Sequence, residues 1–215
     1  MPGLDERPIP LATYRHQPDS YDCPFCLVQR GVFTEHNQLG DVVAVTELAF
    51  ACISPQWWPA NPGAALVVPR GHHENIYDFP AAAGHAVWDL VQQVALAMRT
   101  TYVCEGISIR QHNEPAGDQD VWHLHVHVFP RHRGDGLYER HNKARWVASE
   151  ERAGYADVLA SQLNLQRTFG VERPAHIFAV PGDSAGDSAG RAGWLVRGSS
   201  RPMASTSECP RRAAR

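Results

Sequence analysis

The chain is predicted to fold as an α+β domain with a mainly antiparallel sheet, one long helix and a short C-terminal helix. Three observations carry that expectation. Short β-rich runs at 42–45, 48–53, 65–68 and 107–111 are separated by turn and loop residues. One long stretch, from Pro80 to about Thr101, places Val87, Leu90, Val91, Val94, Ala95 and Met98 at helical spacing. Between Trp122 and Phe129 the sequence Trp-His-Leu-His-Val-His-Val-Phe alternates with the period of two that belongs to a strand.

In chain order, residues 1–20 are polar and proline-rich and read as an extended lead-in. Val42–Val45 and Leu48–Ile53 form a hairpin turning at Thr46-Glu47. Ser54 to Gly63 is a loop, because Pro55, Pro59 and Pro62 interrupt it, and Ala65–Val68 is a strand stopped by Pro69. A short helix fits Glu74–Asp78. Pro80 suits the first turn of the long helix. Ile107–Gln111 and His123–Phe129 are strands flanking a polar loop, His112–Asp120. Ser149 is a candidate cap for a second helix over about 150–163. The folded domain is expected over 21–170. Beyond Gly170 the repeat Gly-Asp-Ser-Ala-Gly-Asp-Ser-Ala-Gly and an Arg-, Ser- and Pro-rich end predict a disordered tail over 171–215.

Composition narrows the function classes. The formal net charge of −3 supplies no global basic field, so no nucleic-acid partner is expected. No apolar run approaches the roughly 18 residues of a membrane span, and Met1 to Leu11 lacks the apolar core of a secretory signal. A cytoplasmic protein is the expectation. The five cysteines, Cys23, Cys26, Cys52, Cys104 and Cys209, are odd in number and irregular in spacing, which argues against a disulfide framework.

The alternating segment carries the chemistry. It puts His123, His125 and His127 on one face and Leu124, Val126 and Val128 on the other, with imidazoles roughly 6.6 Å apart along the strand. Two chemistries use such a row. The imidazoles ligate a metal, or one neutral imidazole is a nucleophile and its neighbours hold charge and protons in place. The preceding loop, Gln111 to Val121, offers small residues, amides and backbone N–H groups suited to an anion. Asp120 would serve as a further metal ligand, which keeps the first chemistry open. Cys23-Pro24-Phe25-Cys26 reads as half a zinc site, as a redox pair, or as chance, and the thioredoxin-like context of a redox pair is not apparent.

His123-Leu124-His125-Val126-His127-Val128-Phe129 resembles the His-φ-His-φ-His-φ-φ signature of the histidine-triad (HIT) superfamily of nucleotide hydrolases and transferases. Further segments share the likeness: Cys23-x-x-Cys26, Asn61-Pro62-Gly63, Val67-Val68-Pro69-Arg70-Gly71-His72, Gln119, Phe129-Pro130-Arg131 and Gly134-Asp135. It covers roughly residues 20–140. The resemblance implies a HIT-like fold and a homodimer. It implies that His125 attacks the α-phosphorus of a small-molecule nucleotide to form a nucleotidyl-imidazole, and that His127 clamps the phosphate. Asn113 and Gln119 would donate hydrogen bonds, and Ile53 and Asp120 fall at nucleotide-contacting positions. It also implies a structural zinc held by Cys23, Cys26, His72 and His123, with His73 as the rival to His72.

Three departures accompany the likeness. Asp120 stands where the family usually has Ser or Thr, and a carboxylate beside a phosphate repels it. In Phe50-Ala51-Cys52-Ile53 a thiol replaces the aspartate that grips ribose hydroxyls. Ala64 replaces a frequent histidine. Trp57 and Trp58 are candidates to stack on a base or to pack a loop. Three functions are therefore carried forward: nucleotidyl hydrolase or transferase, acting on a dinucleoside polyphosphate or nucleoside phosphoramidate type of substrate; a metal-dependent enzyme using the three histidines as ligands; and a nucleotide-binding protein with weak catalysis.

Overall fold

The predicted hairpin forms from Val42–Val45 (β1) and Ala49–Ile53 (β2), paired antiparallel with Val45 opposite Phe50. Ala65–Pro69 (β4) pairs with β2, and Val126–Arg131 (β6) lies between β4 and Gly106–Gln111 (β5). Together they make a five-stranded antiparallel sheet in the order β1-β2-β4-β6-β5. Gln56–Trp57 (β3) and Arg145–Trp146 (β7) form a separate two-stranded ribbon. The helices are Pro24–Gln29 (α1), Ala81–Thr101 (α2) and Ser149–Leu163 (α3). This computed structural model describes residues 14–139 and 143–169, all within one compact unit spanning Met1–Arg173. Most of the expected lead-in and the expected disordered tail, 171–215, lie outside the described residues. Among the described residues no helix is long and apolar enough to cross a membrane.

The sheet is covered on both faces, which explains why β1, β2 and β4 read as continuous apolar runs. On one face Ala51, Ile53, Val67, Val126 and Val128 pack beneath Leu90, Val94 and Met98 of α2 and Leu159 of α3. On the other, Phe50, Cys52, Leu66 and Val68 pack against Cys23, Phe25 and Val28 of the α1 segment. Each fully buried Leu, Val or Phe contributes about 1.5–3 kcal/mol relative to exposure.

Two buried polar clusters fix the connections. Asn61 Nδ2 donates to Pro130 O at 2.8 Å and to Asp135 Oδ2 at 2.9 Å. Arg131 grips the same carboxylate through Nε at 2.6 Å and Nη2 at 2.7 Å. Asn61, Pro130-Arg131 and Asp135, which sequence analysis places in separate segments of the family likeness, therefore form one structural lock. Beside it Gly63 has φ +76°, and a Cβ there would sit 2.3 Å from the Tyr155 ring, so the close approach of α3 requires glycine. In the second cluster Arg152 of α3, fully buried, holds both oxygens of Asp41 at 2.8 Å and donates to Glu35 O.

Several elements depart from the sequence expectation. The histidine strand begins at Val126, not His123. Leu124 N is drawn instead to His73 O at 2.6 Å, and His123 N to Val121 O at 2.8 Å. Glu74–Asp78 is a run of bends and turns rather than a helix. Asn75 takes the Tyr77 N–H on its own Oδ1, the local bond that competes with helix formation. Ser149 is the first helical residue of α3, Ala148 is its cap, and no side chain caps the helix. The Ser54–Gly63 loop contains β3, and α1, with Pro24 in its first turn, was not anticipated.

Candidate active site

Four side chains converge where α1 meets the start of the histidine segment. The ligand atoms of Cys23, Cys26, His72 and His123 all lie within 4.8 Å of one another. Sulfur-to-Nδ1 distances are 3.2 Å for Cys23–His123, 3.3 Å for Cys26–His72 and 3.7 Å for Cys26–His123. A tetrahedral zinc with Zn–S near 2.3 Å and Zn–N near 2.0–2.1 Å has S···N edges of about 3.6 Å, so the cluster fits that ion. The tautomers agree. His123 Nε2–H donates to Pro69 O at 3.0 Å, and His72 Nε2–H to Gln17 Oε1 at 2.6 Å. Both leave Nδ1 as the lone pair facing sulfur, with the outer nitrogen oriented by an acceptor. Without a cation, burial pushes the Cys23 thiol up and the His123 imidazolium down to about 3. A divalent ion would compensate the thiolates that the site otherwise disfavours. His73 is not in the cluster; its ring lies against Phe79.

His125 and His127 form a second centre, their rings 4.8 Å apart and edge to face. His125 is buried, and its Nδ1 donates to the His123 carbonyl at 2.8 Å. A carbonyl only accepts, so Nδ1 carries the proton and Nε2 carries the lone pair. Burial lowers the His125 pKa, opposed by that carbonyl and by the charge of Asp120. His127 is held well below its ordinary value, by burial first and then by His125, His112 and Arg110. Both rings are therefore neutral near pH 7. Nδ1 of His127 is buried and has no hydrogen-bond partner among the described residues.

Two cavities meet at His127, and His125 lines the larger of them. The larger, about 420 Å³, is lined by His125, His127, Asp120, Phe25, Ser54, Gln56, His36 and Trp146 among others. Trp146 stacks on His36 with ring centroids 3.8 Å apart. The smaller, about 350 Å³, lies beside His127 and is lined by Trp58, Arg110, His112, Asp118, Gln119, Asp120 and Phe129.

The HIT domain family matches residues 36–134. Protein hit of Bacillus subtilis is 30% identical over 117 residues, which span 54% of this chain and 76% of that protein. The chain belongs to the HIT family. An Arabidopsis thaliana relative named as a bifunctional bis(5'-adenosyl)-triphosphatase/adenylylsulfatase is 27% identical over 95 residues, covering 44% of this chain and 52% of that protein. The fold matches a zinc-bound histidine triad protein from Mycobacterium smegmatis, with TM-score 0.54 and 24% identity over 66% of this chain and 94% of the other. A histidine triad nucleotide-binding protein from Sulfolobus tokodaii gives TM-score 0.55 at 19% identity, over 66% and 92% of the two chains.

Within this HIT protein the remaining predicted contacts divide. Asp120 is exposed and lines both cavities, and among the described residues no hydrogen bond joins it to a histidine. Gln119 lines the smaller cavity, but its polar atoms serve the loop. Oε1 accepts from Glu114 N at 2.8 Å, and Nε2 donates to Glu74 O at 2.6 Å and Val121 O at 3.1 Å. Asn113 is not among the lining residues of either cavity. It exchanges hydrogen bonds with Gln111 and accepts from Ile76 N at 2.9 Å. Strand alternation turns the Ile53 side chain into the core beneath α2, fully buried, so the side chain lines neither cavity. Ser54, its neighbour, lines the larger cavity instead. Cys52 lies on the opposite face to Ile53, buried near Asp41 and Arg152. Trp57 is core and packs on Tyr155, whereas Trp58 reaches the smaller cavity against Phe129. Sequence analysis does not single out Arg110, His36 or Trp146. The polar residues Ser108 and Arg110 alternating with Ile107 and Ile109 were the available signal for the first.

Proposed function

We propose that this HIT protein is a nucleotidyl hydrolase or transferase acting at the α-phosphorus through a covalent nucleotidyl-His125. One observation carries the reading: the Nδ1–H of His125 is tied to the His123 carbonyl at 2.8 Å, which leaves Nε2 as a neutral nucleophile on a cavity-lining residue. In the first step the Nε2 lone pair forms an N–P bond as the bond from phosphorus to the leaving group breaks, its electron pair departing with the leaving group. In the second, a water or acceptor oxygen attacks phosphorus, loses its proton and returns the pair to Nε2. His127, neutral and with an unpartnered Nδ1, is the phosphate clamp. Asp120, exposed beside His125, stabilises the positive charge that His125 gains while phosphorylated.

Cys23, Cys26, His72 and His123 are proposed to hold a structural zinc. A closed tetrahedral ion anchors α1 to the histidine segment and activates no water. The His123 ring would face the ion while its carbonyl orients His125, so one residue serves both centres. The three-histidine metal reading gains no support, because His123 faces the cysteines and His125 Nδ1 is occupied. A second copy of the chain is the proposed partner, supported by Trp88 and Leu96 of α2, which are 57% and 62% exposed; sedimentation at several concentrations tests it.

The decisive experiment incubates the protein with adenylated and guanylated compounds and maps the added nucleotide mass. An adduct on His125, lost in His125→Gly, is the expected result. Turnover that survives in His125→Gly overturns the covalent mechanism. The substitutions at Asp120 and Cys52 favour one rival, a nucleotide-binding protein of weak activity, for which mononucleotide binding would persist with no adduct.

A further inference from the structure

Strand β5 carries a residue that the reaction above leaves unused. Arg110 stands directly opposite His127 in the β5–β6 register. Both side chains therefore leave the same face of the sheet, with Cβ atoms about 4.5–5.5 Å apart. The guanidinium lies between two rings, 5.2 Å from the Phe129 centroid and 4.3 Å from that of Tyr138. Among the described residues no carboxylate pairs with it, and Nη2 is buried without a hydrogen-bond partner. An arginine does not discharge by losing its proton. The Tyr138 side chain also interacts with this guanidinium, but Nη2 stays unfilled, and a half-buried unfilled donor favours an arriving anion.

The two cavities differ in just this respect. The lining of the larger one includes Asp22, Glu35 and Asp120 but no lysine or arginine. The smaller one holds Arg110. Its two carboxylates, Asp118 and Asp120, are exposed, where water screens them, while Arg110 is half-buried. His127 borders both cavities. In phosphoryl and nucleotidyl transfer the attacking and departing atoms lie roughly in line, and His125, the attacker in the reading above, lines the larger cavity and not the smaller, so a group leaving away from it heads towards the smaller one.

We propose that Arg110 is the specificity-determining residue of this site, and that the smaller cavity takes a compact anionic leaving group, sulfate- or phosphate-like, with the nucleoside in the larger cavity. The proposal rests on the nucleotidyl-transfer reading. It selects among that reading's substrates by charge. When the bond from phosphorus to a sulfate or phosphate oxygen breaks, the electron pair leaves on an oxyanion that needs no proton, and a fixed guanidinium stabilises it. An amine leaving group needs a proton, which arginine cannot supply.

The test uses the full chain and two adenylated probes, adenosine 5'-phosphosulfate and the neutral-amine phosphomorpholidate of AMP. Arg110→Leu is expected to lower kcat/KM for the phosphosulfate at least about tenfold, the loss of one charge-assisted contact, and to leave the morpholidate within about twofold. Arg110→Lys should recover part of the loss, and a thermal melt of each variant checks folding. Equal loss on both probes, or none on the phosphosulfate, overturns the proposal. Inorganic sulfate supplies a readout independent of turnover: it should raise the melting temperature of the wild type and not of Arg110→Leu. If neither probe is turned over while sulfate still protects only the wild type, the transfer reading falls and the anion site stands. If neither probe is turned over and sulfate protects both proteins alike or neither, the anion site falls too.

Discussion

His123 and His127 are two residues of one type, four positions apart, in one short segment, and their hydrogen bonding differs. Both nitrogens of His123 are engaged, Nδ1 by the Cys23 and Cys26 sulfurs and Nε2 by the Pro69 carbonyl. His127 is also enclosed and also neutral, yet its Nδ1 has no partner. Burial alone does not separate the imidazole proposed as structural from the one proposed as reactive, nor does residue type. Completion of the hydrogen bonding does, because a buried polar group without a partner loses about 1–3 kcal/mol until something supplies one. His125 stands between the two conditions. One nitrogen is held by the His123 backbone and the other is left for an incoming atom. Rigidity on the cysteine side is thereby passed to the reactive side through one carbonyl.

The largest expected effect breaks the reactive half alone. His125→Ala should reduce turnover at least about 10³-fold, as loss of a covalent nucleophile does. The melting temperature should stay within a few degrees, since the His123 cluster is untouched. A comparable loss of stability would mean that the two halves are not separable. The complementary change, Cys26→Ser or zinc removal by a chelator, should act first on stability. A loss of about 3–5 kcal/mol corresponds to a fall of roughly 10 °C for a domain of this size. Metal analysis should find one zinc per chain before treatment. If chelation abolished turnover with the melting temperature unmoved, and added metal restored it, the ion would belong to the chemistry and the assignment of His123 would be reversed.

These contrasts were legible in the sequence only in part, and the reasons are physical. α2 is readable because a long periodic run states its own partner face, and the β1–β2 hairpin because two short continuous apolar runs flank a turn. The ribbon of β3 and β7 was not, since two residues such as Gln56 and Trp57 contain no period. The strand start moved from His123 to Val126 because the backbone of Leu124 answers to His73 of another segment, a contact that alternation cannot reveal. Cys23, Cys26, His72 and His123 were grouped by resemblance; their spacing of 97 and more residues between α1 and the triad has no local signature. Arg110 shows the limit most clearly. Its place on the polar side of β5 follows from Ser108 and Arg110 alternating with isoleucines, but its apposition to His127 is a matter of register between strands separated by a loop. Ile53 is assigned by resemblance alone, and the side its chain takes follows from strand alternation, which turns it into the core.

Gln119 extends the comparison to an amide. Its three hydrogen bonds to Glu114 N, Glu74 O and Val121 O put it with His123 among the completed groups. Gln119→Leu should then cost about 2–3 kcal/mol, from backbone groups left unpaired. That is roughly 6 °C in melting temperature, with a KM effect that follows the disordered loop. A variant with unchanged stability and a specific rise in KM would instead return Gln119 to the role of phosphate donor.

Asp120 gives the smallest and most diagnostic change, because it touches both halves of the catalytic cycle with opposite sign. Its carboxylate is exposed, so repulsion of a phosphate oxygen about 4 Å away lies nearer the aqueous limit of about 1 kcal/mol than the interior one. The same negative charge favours the cationic form of His125, the form reached when Nε2 bonds to phosphorus. Asp120→Ser removes both effects. KM should fall up to about fivefold as ground-state repulsion is relieved, and kcat should fall by a similar factor as the phosphorylated imidazole loses its counter-charge, leaving kcat/KM nearly constant. Both changes should shrink as ionic strength rises, since an exposed charge is screened over about 10 Å at 0.1 M salt. A rise in KM would show that Asp120 holds the ligand rather than repelling it. A rise in kcat would show that the charge on His125 needs no carboxylate beside it.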